Sequence, residues 1–223
     1  MAQDQNGPAI HSKSPEGGAH GPREIAAFDF DGTLTVRDSF TAFLAWRAGP
    51  VGYALGFVRL IPAALAYLVH RDRGRIKAAA LKAYLKGLTR DELADAAHRF
   101  ADAHAPRLFR PDALKTWAEW REKGALRVIV TASPEDVVAP FARILGADEL
   151  LGTQIHYDEA GRVVGTFSSA NCRGSEKVAR LETRFGPGVR LKAAYGDTSG
   201  DHEMLAIAEI QGYRQFTGRP DLS

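Results

Sequence analysis

The stretch Ala26–Thr35, AAFDFDGTLT, ends an apolar run in two aspartates two residues apart, followed by a glycine and two threonines. In an extended strand successive side chains point to opposite faces. Phe28 and Phe30 are therefore expected to pack into a core while Asp29 and Asp31 emerge together on the other side. Two carboxylates that close repel one another, which calls for a cation or a shared proton. A chain that presents such a pair at the tip of a buried strand fits an open α/β sheet, in which ligands bind beyond the carboxyl ends of the strands.

The rest of the chain supports that class. ALRVIVTA (Ala125–Ala132) and RLKAAYGD (Arg190–Asp197) are further strand candidates, with a weaker one near Glu209–Tyr213. Between them, Pro111–Gly124 places Leu114, Trp117 and Trp120 on one helical face. SPEDVVAPFARILG reads as a second helix, with Ser133 as its N-cap, Pro134 at its first position and Gly146 at its end. Alternating strands and helices imply a Rossmann-like, mostly parallel sheet covered on both faces. Gly152–Phe167 breaks the rhythm as a small β-hairpin turning at Asp158–Gly161. Asp38–Ala105 holds only helical patterns, too many for one crossover, and reads as an α-helical insertion.

The expected organisation is a disordered tail over 1–22, a core over 23–37 and 106–223, and a helical insertion over 38–105. The tail is polar and rich in Gly, Pro and Ser, without the apolar run of a signal peptide. Cys172 is the single cysteine, which excludes an internal disulfide and fits a reducing, cytoplasmic setting. A net charge of +2 over 223 residues gives no electrostatic footprint for nucleic acid.

A third and a fourth acid, Asp197 and Asp201, stand in GDTSGDHEM, again just past a strand. Four carboxylates at two strand ends suit a hard, oxygen-ligated cation such as Mg²⁺. Thr131 ends another strand, Ala132 follows with its backbone amide, and Lys177 begins a helix. A hydroxyl, an amide and an ammonium beside carboxylates and Mg²⁺ make a phosphate site.

FDFDGTLT, then VIVTAS, then Lys177, then GDTSGD, in this order from about Glu24 to Met204, resemble the haloacid dehalogenase superfamily of phosphohydrolases. The resemblance implies that Asp29 is a nucleophile forming an aspartyl-phosphate and that Asp31 is the general acid and base. It further implies that Asp29, the Asp31 carbonyl and Asp197 hold Mg²⁺, with Asp201 ligating directly or through water. Thr131, Ala132 and Lys177 would bind the transferring phosphoryl group. A receiver-type phospho-acceptor domain also uses an aspartate, a hydroxyl, a lysine and Mg²⁺. It lacks an acid two residues after the nucleophile, and Asp31 argues against it.

A helical cap placed straight after the first motif resembles the C1-capped, phosphoserine-phosphatase-like subgroup. Ala48–Val69, AGPVGYALGFVRLIPAALAYLV, has 22 residues and one charge, Arg59. Arg71, Arg73, Arg75 and Lys77 follow at once. Three readings stand: a membrane span, an ordinary cap helix core, and an interfacial helix whose basic flank meets anionic headgroups. RDSFTAFLAW, the LIP turn and NCRGSEKVARLETRFG resemble the branch that includes phosphatidylglycerophosphate phosphatases. Phosphoserine phosphatases differ: they carry a Gly-Gly step where Ala132 and Ser133 stand, and a cap glutamate where this chain has Arg37 and Asp38. The expected partner is a phosphorylated small molecule or a lipid phosphate, with peripheral membrane contact through the cap in the lipid case. Asn171 and Arg173 are candidate substrate contacts; Arg173 reads equally as a solvated loop residue.

Overall fold

The computed structural model describes residues 23–70 and 73–221, without the side chains of 59, 62–70 and 73. The tail expected over 1–22 and the cation Arg71 lie outside the described residues, as does the side chain of Arg73.

Five parallel strands form the central sheet among these residues, in the order β3-β2-β1-β6-β7. They are β1 (Ile25–Phe28), β2 (Leu126–Pro134), β3 (Glu149–Thr153), β6 (Leu191–Gly196) and β7 (Ala208–Tyr213). β4 (Ile155–Tyr157) and β5 (Val163–Phe167) pair antiparallel as the expected hairpin. Its turn closes through Asp158 N–H to Arg162 O and Gly161 N–H to Asp158 O, each 2.9 Å. The α/β class and the mostly parallel sheet read from the sequence are thus observed.

Alternation along the strands divides the core in two. Ala26, Phe28, Ile129 and Tyr195 face one side, and Ile25, Ala27, Val128, Val130 and Ala194 the other. Phe28, fully buried, lies 4.5 Å from the Tyr195 ring in a stack and 4.9 Å from Trp117 edge-on. Burial of such a side chain is worth roughly 1.5–3 kcal/mol. The second face is covered by α6 (Ser175–Phe185) and the short α7 (His202–Ala206), which supply Leu181, Met204 and Leu205.

The first face is covered by α4 (Pro111–Glu122), α5 (Glu135–Leu145) and the helices that follow β1: α1 (Ser39–His70), α2 (Arg73–Leu85) and α3 (Arg90–Leu108). Phe43, Leu81, Leu85 and Phe100 of these helices join Phe28, Phe30 and Phe141 in one continuous cluster. Thr89 caps α3 in a reciprocal box with Glu92. α1 is interrupted at Gly49, whose φ of 65° is open to glycine at little cost, and Pro50 starts the helical run again. The second stretch exposes Val51, Leu55, Phe57, Val58 and Ile61 to solvent. No helix among the described residues is long and apolar enough to cross a membrane.

The structure corrects the start of α5. The helix begins at Glu135 with Pro134 in the capping position and no side-chain cap, so Ser133 belongs to β2 rather than to the helix. β2 runs on because its pairing with β3 shifts register between Val130 and Pro134, a bulge that re-aims the side chains there.

Candidate active site

Asp29 follows β1 directly, and its N–H donates to Tyr195 O at 2.8 Å, which carries the sheet pairing one residue further. Alternation points its side chain to the face covered by α6. The third residue of that helix is Lys177, buried to 1% exposure. Its Nζ donates to Asp29 Oδ1 at 2.6 Å and to Val130 O at 2.6 Å, and pairs with Asp201 Oδ1 at 2.7 Å. An ammonium has three protons, and these three oxygens use them all.

Asp197 and Asp201 reach the site on the turn between β6 and α7. Asp201 Oδ2 accepts from the N–H groups of Asp197 (3.2 Å) and Thr198 (2.9 Å) and from Thr198 Oγ1 (3.0 Å), which winds the turn around its own carboxylate. Thr33 Oγ1 donates to Asp197 Oδ1 at 3.4 Å. Gly32 lies so close that a Cβ there would stand 2.4 Å from Asp197 Oδ2, and its φ is 89°. A side chain there would be strained and would have to displace the Asp197 carboxylate.

Asp31 lines the same pocket but has its own partners. Oδ1 accepts from the Ser39 N–H at 2.7 Å, at the first residue of α1, and Oδ2 accepts from Ser133 Oγ at 2.5 Å. The two aspartates of FDFD therefore share a cavity while their carboxyl groups are tied to different elements. That cavity, about 520 Å³, is also lined by Asp38, Thr41, Ile76, Lys77, Thr131, Ala132, Asn171 and Arg173.

The charged groups shape one another's protonation. Burial raises the Asp29 pKa to about 7, against the pull of Lys177 and with the help of Asp201 and Asp31. Burial and the charge of Asp38 raise that of Asp31, opposed by Lys77, Ser133 and Ser39. Burial would raise Asp201 too, but Lys177 and the Thr198 hydrogen bonds outweigh it and the pKa falls. Burial acts to lower the pKa of Lys177, and Asp29 and Asp201 reverse that, so the ammonium stays charged.

One oxygen each from Asp29, Asp197 and Asp201 lie within 4.8 Å of one another, the only such trio of possible ligands among the described residues. An all-oxygen, carboxylate-rich and largely buried donor set fits a hard divalent cation such as Mg²⁺. The carboxyl group of Asp31 stands outside that trio.

Several pocket residues were not legible as such in the sequence. Lys77, which only the interfacial reading of the cap placed on a headgroup-facing flank, donates to Ala132 O at 3.1 Å inside the pocket. Arg173 is half-buried and partnered: Nη1 donates to Thr198 Oγ1 (3.2 Å) and Nη2 to Ser199 Oγ (2.9 Å), bracing the turn that carries Asp197 and Asp201. Asn171 Oδ1 accepts from Thr153 Oγ1 at 3.4 Å. The Ser133 contact had no signal beyond a hydroxyl two residues after Thr131.

The family model for haloacid dehalogenase-like hydrolases matches residues 26–206, a span that contains every acid of the site. The chain belongs to the haloacid dehalogenase-like hydrolases. Protein CicA of Caulobacter vibrioides is 58% identical over 196 residues, covering 88% of each protein. Among solved structures, a protein from Bordetella pertussis Tohama I superposes with a TM-score of 0.69 at 24% identity, over 83% of this chain and 87% of that one. A substrate-bound phosphoserine phosphatase superposes with a TM-score of 0.59 at 18% identity, over 86% of each. These two likenesses speak for the fold.

Proposed function

We propose that this hydrolase cleaves phosphomonoesters with Mg²⁺ through an aspartyl-phosphate at Asp29. The observation that carries the reading is the division of labour between two neighbouring carboxyl groups. Asp29 is ion-paired to a buried lysine within a three-acid cluster, while Asp31, outside the cluster, faces the same cavity.

Asp29, Asp197 and Asp201, with the Asp31 carbonyl, would hold the cation. When bound, Mg²⁺ offsets the repulsion between the phosphate oxygens and an attacking carboxylate. A carboxylate oxygen of Asp29 attacks phosphorus, and the bond from phosphorus to the leaving oxygen breaks as Asp31 gives that oxygen its proton. Water then attacks phosphorus, Asp31 takes a proton from it, and Asp29 leaves as a carboxylate. Lys177 holds Asp29 in place and, exchanging its contact with Val130 O or Asp201 for one with phosphate, meets the phosphoryl oxygens together with Thr131 and the Ala132 amide. Turnover of p-nitrophenyl phosphate should vanish in EDTA and return with excess MgCl₂. Turnover that survives metal removal would refute the metal requirement.

For the leaving group we favour a lipid phosphate such as phosphatidylglycerophosphate over a soluble metabolite such as phosphoserine. The exposed apolar face of α1 supports it: Val51 is 74% exposed, Leu55 62%, Phe57 57% and Val58 61%. α1 leaves the pocket at Thr41 and α2 returns to it at Ile76 and Lys77, so this face lies on the excursion between two pocket-lining segments. A cavity of about 520 Å³ admits a phosphorylated headgroup and leaves acyl chains outside. The surface that would receive them is a bilayer bearing that anionic lipid, met by the exposed apolar face.

The protein should therefore sediment with vesicles containing anionic lipid. A Phe57→Asp/Val58→Asp double variant should bind them about tenfold more weakly or worse. It should hydrolyse p-nitrophenyl phosphate unchanged, because neither residue lines the pocket. Indifference of the wild-type protein to vesicles would hand the reading to the small-metabolite alternative, which a parallel assay with phosphoserine then tests.

A further inference from the structure

Resting on the phosphatase reading, we infer that Ser133 is a positioning residue for the acid–base carboxyl of Asp31. The register shift at the end of β2 turns the Ser133 side chain inward, where it is fully buried. Its backbone N–H donates to Thr131 Oγ1 at 3.0 Å, which fixes the local geometry, and its hydroxyl donates to Asp31 Oδ2 at 2.5 Å. The Ser39 N–H holds the other carboxyl oxygen at 2.7 Å.

Two donors on two oxygens set the plane of the carboxyl group. Each oxygen keeps a second lone pair for the proton that Asp31 must give and take back. A hydroxyl suits this position because its hydrogen rotates: it donates to the carboxylate and can accept from the carboxylic acid. A backbone amide can only donate. Ser39 holds Asp31 through backbone and survives any side-chain change, so Ser133 is the contact that substitution can remove. Without it the carboxyl group is pinned at one oxygen and turns about its Cβ–Cγ bond. General acid–base catalysis is worth about 10²–10⁴-fold in rate, and misorientation should forfeit roughly tenfold or more of that.

The test uses Ser133→Ala, rapid mixing and two substrates. p-Nitrophenolate is a good leaving group and departs without a proton, so its burst reports attack by Asp29 alone. The steady state that follows requires Asp31 to deprotonate water. Ser133→Ala should release the burst at the wild-type rate, then turn over roughly tenfold more slowly. On phosphatidylglycerophosphate or phosphoserine, whichever the wild type hydrolyses, each an alkyl ester whose leaving oxygen needs a proton, it should be slow in the first step as well. Burst amplitude counts folded sites, so partial misfolding cannot imitate this pattern.

In an Asp31→Asn background the same substitution should cost nothing further, since its effect runs through the missing acid. Equal loss of burst and steady state, an undiminished cost in Asp31→Asn, or wild-type kinetics in Ser133→Ala would each overturn the inference. If instead the wild-type protein hydrolyses none of these esters, the phosphatase reading falls, and the role of Ser133 with it.

Discussion

Asp29→Asn is expected to lower phosphatase turnover by on the order of 10⁴-fold or more while leaving the protein folded. Asparagine keeps the shape of the side chain and a carbonyl oxygen for Lys177 but cannot attack phosphorus. Lys177 also retains Asp201 and Val130 O as partners. The change in stability should be small, because burial already holds the Asp29 pKa at about 7 and the group carries its charge at a cost. Steady-state rates and a melting curve, taken together, separate the two effects. A variant that melted like wild type and turned over at more than a hundredth of its rate would contradict the nucleophile assignment.

Lys177→Met should act on stability as strongly as on rate. The substitution keeps an unbranched side chain and removes the one ammonium between Asp29 and Asp201. Two carboxylates are then left buried against each other, and breaking a buried ion pair in this way costs about 3–5 kcal/mol. For a chain of this size that is about 10 °C in Tm. A cation bound to Asp29, Asp197 and Asp201 would replace part of the missing charge, so MgCl₂ should raise the Tm of the variant more than that of the wild type. Metal-free melting at the wild-type temperature would show that Lys177 is not the counter-charge of the site.

How much of this was legible follows from which physical signal each element carries. β1, β2 and β6 announce themselves as apolar runs, and the acids that follow β1 and β6 lie where an open sheet places ligands. The hairpin announces itself by its turn residues. β3 does not, because Glu149–Thr153 is short, opens with an acid and has no alternation and a single β-branched residue, Thr153, to mark it; pairing with β2 makes it a strand. At Ser133 a good local helix-start pattern, serine before proline and two acids, lost to the continuation of β2 and to the hydroxyl bond with Asp31. Lys77 stands in a run of charges, and such runs usually face water. Only the turn of α2 back over the site brings its ammonium to Ala132. The trio Asp29, Asp197 and Asp201 spans most of the chain, so no periodicity could join its members, and the order of the motifs did.

The most direct test of the central claim is to catch the phosphoryl group on the chain. Wild-type protein mixed with labelled phosphomonoester and Mg²⁺, then quenched in acid within one turnover, should carry label on a single peptide. Borohydride reduction of the acyl-phosphate should map it to residue 29, and Asp29→Asn should carry none. Turnover without any trapped label, or label on a residue other than Asp29, would contradict the covalent mechanism.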